Sequence, residues 1–163
     1  MKKNIEIKNK KASFSYTLSE NFTAGIQLKG GEVKSIRNKE VKISDSFCII
    51  FNDEIWVKNI YISKYKHDSS ELHNPNRNKK LLLNKSEISK IIKAINEKGA
   101  SLIPTKLFIN EKGLVKIQVA IGKGKKMYDK REIIKKRDIE KHIQREKKRE
   151  NWVFPNLVSS DCI

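Results

Sequence analysis

The apolar positions of this chain change period several times, and each change marks an element. After a polar, basic opening dozen, Phe14, Tyr16 and Leu18 fall two apart, which is strand spacing. Ala24-Gly25-Ile26-Gln27-Leu28 reads as a second strand that ends at Gly30-Gly31. Val33 and Ile36 then stand three apart within Glu32 to Arg37, predicting one or two helical turns laid on a core. Ser46 to Phe51 and Ile55 to Ile62 are β-branched and aromatic, with Asn52-Asp53-Glu54 as turn residues between them, so a hairpin is predicted. His67 to Asn78 carries no periodic apolar residue and reads as a loop.

The clearest helix spans Asn84 to Lys98. Asn84 can cap it, Glu87 sits where a capping box needs an acid, and Ile88, Ile91, Ile92 and Ile95 form one stripe. Gly99 suits the position just past the end. Leu102 to Ile109 and Leu114 to Ile121 follow as two strands joined by the turn Asn110-Glu111-Lys112-Gly113. Five or six short strands without strand–helix alternation predict a mainly β fold. The form expected is a small closed antiparallel β-barrel with outer helices, occupying residues 1–121. Residues 122–163 form a separate basic tail.

Charge changes the picture. The formal net charge is +17 over 163 residues, which is an argument about partners and not about fold. Nucleic acid is the leading class, with an anionic membrane surface second. No window approaches the roughly 20 apolar residues of a membrane helix, and no apolar run follows the first lysines, so a cytosolic location is expected. Cys48 lies in the apolar run Phe47 to Phe51 and reads as a small core residue. Cys162 is near the end, and a disulfide between the two is not expected.

The tail Gly122 to Glu150 is dense in Lys and Arg, with apolar residues too sparse for a core. Each cation that meets a phosphate releases a condensed counterion. Acids recur among the bases: Glu132 lies four before Lys136 and Asp138 three before Lys141, spacings that support a helix. Isoleucines 133, 134, 139 and 143 give a thin apolar edge. Such a segment is expected to be disordered when free and helical when bound. Tyr128-Asp129-Lys130-Arg131 could stack a ring on a base while cations hold phosphates, or Tyr128 could be merely exposed.

Two further stretches carry candidate chemistry. In Gly25 to Arg37, Glu32, Lys34, Ser35 and Arg37 would point away from the Val33/Ile36 face. There Glu32 could accept from a base amino group or simply pair with a lysine. Pro75 to Leu83 is a basic loop entering an apolar run, either a phosphate clamp or a solubilising loop. No enzyme motif emerges. His67, Asp68 and His73 lack metal-ligand spacing, no nucleophile elbow is present, and Gly122-Lys123-Gly124-Lys125-Lys126 is not a phosphate-binding loop. No catalysis, metal or cofactor is expected.

Taken in order, Asn9-Lys10-Lys11-Ala12, GIQLKGGEVKSIR, Ser44-Asp45-Ser46-Phe47, PNRNKKLLLNKSEI, Pro104 to Phe108, GKKMYDKRE and KKRD resemble the small protein B, or SsrA-binding protein, family of bacterial trans-translation. The resemblance runs from about Asn9 to Arg149. It implies an OB-type barrel without enzymatic activity that binds the tRNA-like domain of transfer-messenger RNA (tmRNA). It also implies delivery of the charged RNA, with elongation factor Tu, to stalled ribosomes, whose empty messenger channel the tail would occupy. The protein is read as a monomer with no membrane partner.

Carried over by residue, the resemblance makes Asn9, Lys10, Lys11, Glu32, Lys34, Ser35, Arg37, Arg77, Lys79 and Lys80 candidates for the tmRNA face. Tyr128, Asp129, Lys130, Arg131, Lys135, Lys136 and Arg137 become candidates for small-subunit rRNA at the decoding centre and channel. Family members often carry an acid and an arginine where Asn74 and a lysine of the Lys79-Lys80 pair stand, which weakens a bidentate contact there. The Gly-Lys joint before Tyr128 is also longer than in some relatives. Asn151 to Ile163 has no counterpart and reads as a frayed end. A generic single-strand binder is a rival, disfavoured because aromatics make up 7% of the chain and several look core-facing. A structural ribosomal protein is another.

Overall fold

The computed structural model describes residues 5–67 and 74–153. The chain divides into two compact units, Met1–Gly124 and Lys125–Ile163.

The first unit begins with β1 (Glu6–Lys8) and α1 (Lys10–Ser15). Asn9 is why the chain turns helical there. Its Oδ1 accepts from the Ala12 N–H at 3.1 Å, while its Nδ2 donates to the carbonyls of Ile43 and Pro104. The strand predicted to start near Phe14 therefore starts at Tyr16, and the two expected strands are one, β2 (Tyr16–Ile26). α2 (Gly30–Arg37) follows as predicted. Then come β3 (Val41–Lys42), β4 (Phe47–Phe51), β5 (Glu54–Lys58), β6 (Tyr61–Ile62) and β7 (Lys79–Leu82). The β4–β5 turn is two residues long, and Asn52 and Asp53 both have positive φ, the geometry that matches strand twist.

α3 (Lys85–Lys98) has the predicted ends. Glu87 accepts from the Asn84 N–H at 2.9 Å, and Gly99 closes the helix at φ 55°. β8 (Ser101–Ile109) and β9 (Val115–Gly124) form the second hairpin, with β9 running past the Ile121 boundary expected from sequence. Gly122 packs so closely that a Cβ would fall 2.9 Å from Ile103 Cδ1. Pro104, which has no N–H to give, sits where the β8–β9 register shifts.

Seven strands form one antiparallel sheet in the order β1-β8-β9-β2-β7-β5-β4, and β3 pairs with β6 separately. The ladder does not close, contrary to the closed barrel expected. β4 lies alongside β8, but no pairing joins them among the described residues. Inward-facing Ile55, Val57, Leu81, Leu107, Ile117, Val119 and Ile121 form the core, which Ile36 of α2 and Ile91 of α3 complete. Cys48 packs against this core, and burial pushes its thiol pKa up, as befits an inert small residue.

The second unit holds α4 (Met127–Val153). The segment expected to be disordered in the free protein is thus a continuous helix here. It includes Asn151 to Val153, read from sequence as part of a frayed end. Residues 154–163 and Cys162, like Asp68 and His73 of the loop, lie outside the described residues. No described helix is long and apolar enough to cross a membrane.

Candidate nucleic-acid interface

The Gly25–Arg37 candidates do not share one face. A helix repeats every 3.6 residues, so the buried stripe containing Ile36 also takes in positions three or four earlier and one earlier. Glu32 and Ser35 accordingly lie inside, with Glu32 only 2% exposed, while Lys34 and Arg37 face solvent. This corrects the sequence expectation that all four point outward.

Glu32 is neutralised from within. Its Oε2 accepts from the Lys29 backbone N–H at 2.7 Å and from Arg77 Nη2 at 2.8 Å; Lys79 Nζ stands 3.8 Å from Oε1. Burial alone would raise the Glu32 pKa, but the Arg77 and Lys29 hydrogen bonds and the two cations hold it below the usual carboxylate range. Lys79 is fully buried and donates to the carbonyls of Ile60 and Arg77. Burial lowers its pKa to about 8, with Glu32 opposing and Arg77 adding to the shift. Arg77 also reaches the Gln27 and Asn78 carbonyls. The cluster ties α2, the β2–α2 connection and β7 together. It leaves Lys34, which stands over the Tyr65 ring at 5.1 Å, and Arg37 on the outer edge of α2.

The other body candidates divide similarly. Asn9 is buried as a cap and cross-brace, so it is not free for a ligand. Lys10 and Lys11 are exposed on α1, with Lys11 ion-paired to Asp45. Lys80 is half-buried on β7 and pairs with Glu54. Sequence reasoning missed this partition because the ladder from Lys79 to Leu82, which sends Lys79 inward and Lys80 outward, has its register set by β2 and β5.

In α4, Tyr128 is 69% exposed. Its hydroxyl is hydrogen-bonded to Glu132, which raises the phenol pKa. Asp129 accepts from the Lys126 N–H at 3.3 Å, capping the helix start. Lys135, Lys136 and Arg137 are exposed, as are Ile134, Ile139 and Ile143. The Asp138–Lys141 pair predicted from spacing forms at 4.0 Å. The helix is polar nearly all round and exposes its thin apolar edge, so it contributes no stripe to a core. Among the described residues no three His, Cys, Asp or Glu side chains cluster as metal ligands.

A family model described as "SmpB protein" matches residues 6–149. The SsrA-binding protein of Parabacteroides distasonis is 51% identical over 90% of this chain and 95% of its own. That of Cytophaga hutchinsonii is 49% identical over 88% and 94%. A solved chain described as "tmRNA-SmpB: a journey to the center of the bacterial ribosome" superposes with a TM-score of 0.63. It is 36% identical and covers 76% of this chain and 86% of its own. The chain belongs to the SsrA-binding protein (SmpB) family.

Proposed function

We propose that this protein binds the tRNA-like domain of transfer-messenger RNA and carries it to stalled ribosomes, without catalysing a reaction itself. The observation that carries the reading is likeness over nine-tenths of the chain to proteins named for SsrA binding. The body selects the RNA. Lys10, Lys11, Lys34, Arg37 and Lys80 meet phosphates, while Glu32, Arg77 and Lys79 set the edge from which Lys34 and Arg37 project. Asn9 and Ser35 support that surface from inside. The curl that brings β4 beside β8 supports an OB-type reading of the sheet.

The tail acts on the ribosome. Tyr128 stacks on an rRNA base in the decoding centre; Asp129 holds the helix start. Lys130, Arg131, Lys135, Lys136 and Arg137 follow phosphates along the empty messenger channel. The exposed isoleucine edge supports a helix that is marginal when free and gains stability on contact. Elongation factor Tu enters only through the charged RNA. The protein works in the cytoplasm as a monomer, since a charge of +17 opposes self-association.

The test is deletion of the chain from Asp129 onward. Affinity for the tRNA-like domain should stay nearly intact while tagging of incomplete peptides on stalled ribosomes is abolished. Loss of most RNA affinity would overturn the division of labour. A structural ribosomal protein would instead purify with every ribosome in equal amount.

A further inference from the structure

The outer face of the β4–β5–β7 strands shares only Lys80 with the body surface proposed for tmRNA, and none of its other residues belongs to that surface or to the tail. Ile55, Val57 and Leu81 point into the core, so by strand alternation their neighbours point out. Cross-strand register puts Phe47 opposite Lys58, Ile49 opposite Trp56 and Trp56 opposite Lys80. Phe47 is 42% exposed, Phe51 63% and Leu82 57%, while Ile49 and Trp56 are half-buried between them. Leu82 can lie flat because its partner is Gly25, where a Cβ would come within 3.2 Å of it. Three rings thus stand on rigid strands at the front, centre and back of one face. Phe47 and Phe51 are about 13 Å apart along β4.

We propose that this face is a stacking platform for unpaired RNA bases, a second RNA surface on the body. It rests on the RNA-binding reading above. Charge selects the occupant. Lys58 and Lys80 stand among the rings, and the acid in the same rows, Glu54, is neutralised by Lys80. The centre of a protein–protein interface is depleted of charge, whereas here lysines flank the central tryptophan. A second copy would bring another strongly cationic chain against the first. A polyanion whose every unit offers a π-face matches both the rings and the lysines. A four-stranded sheet of another fold stacks two or three bases in this manner.

The experiment uses the full chain with Trp152→Phe, which leaves Trp56 as the only tryptophan, titrated with a short oligouridylate and separately with a tRNA-like RNA. Oligouridylate should quench Trp56 emission. Phe51→Leu should weaken oligouridylate binding roughly tenfold, while Phe51→Tyr keeps it, because stacking needs a ring and not merely apolar area. The salt slope should stay unchanged in Phe51→Leu and fall by about 0.7 in Lys58→Ala, since only the cation releases a counterion. Thermal melting of each variant confirms that it is folded. Quenching that is absent, or Phe51→Leu binding like the parent, overturns the platform while tRNA-like binding stands. If neither RNA binds, the RNA reading itself fails. A mass that rises with protein concentration and falls in Phe51→Leu would assign the face to a second copy. Trp56 emission that responds to removal of residues 154–163, and not to RNA, would assign it to the chain's own end.

Discussion

A carboxylate with almost no solvent contact must be neutralised by the protein, and Glu32 is neutralised by two cations and one backbone N–H. Removing one partner of such a cluster leaves buried charge uncompensated. Glu32→Ala should therefore cost about 3–5 kcal/mol of stability, read from urea unfolding. If stability held while RNA affinity alone dropped, Glu32 would be a base reader after all. Lys79 gives a pH signature. Its folded pKa, about 8, lies below its ordinary 10.5, so between those values the unfolded chain binds more protons. Stability from this residue should rise as pH climbs from about 8 to 10.5 and be flat below. Urea midpoints across that window should show the rise in the parent and lack it in Lys79→Met. The positions of these residue types were plain in the sequence. Their burial was not, because it depends on β7 arriving beneath α2.

Helix ends and tight turns are set by residues within a few positions of one another, and these were readable. Glu87 and Gly99 bound α3 as their spacing predicted, and Asn52-Asp53 make the β4–β5 turn. Gly99 holds a left-handed conformation that a Cβ disfavours, so Gly99→Ala should cost about 1 kcal/mol, measured as a lowered urea midpoint. An unchanged midpoint would mean the helix end relaxes freely. β1 and β3 were not readable, since two or three residues display no period, and the single strand expected over Ile55 to Ile62 is broken into β5 and β6, with Asn59 between them at positive φ. α1 was missed because Asn9 is fixed by carbonyls of Ile43 and Pro104, far away in sequence. α4 contrasts with α3 in lacking a buried stripe. On warming, its circular dichroism signal should fade before the body unfolds, giving two transitions; a single cooperative one would mean the helix is held by something more than its own backbone.

At the scale of the whole molecule, the core is confined to the first unit while basic charge is spread over both. The body buries a contiguous isoleucine, valine and leucine core under basic surfaces, while α4 is almost pure surface. The salt dependence of binding should divide accordingly. Deleting the chain from Asp129 should lower the salt slope for ribosomes far more than for the tRNA-like RNA, as each lost phosphate contact removes its share of released counterions. Equal reductions would mean the tail grips both.

The sequence by itself determined the partner class, the local stops and turns, and the family. Net charge, capping residues and ordered motifs are properties of the chain that survive without knowing what packs on what. The tertiary structure alone decided which charges are available. Register between β2, β7 and β5 turned Lys79 inward and Lys80 outward, α2 folded Glu32 into the protein, and strand alternation over a buried Ile55 and Val57 turned Phe47, Phe51 and Trp56 to the surface. Burial arises from contacts distant in sequence, and a one-residue change of register would have reversed every strand assignment among them.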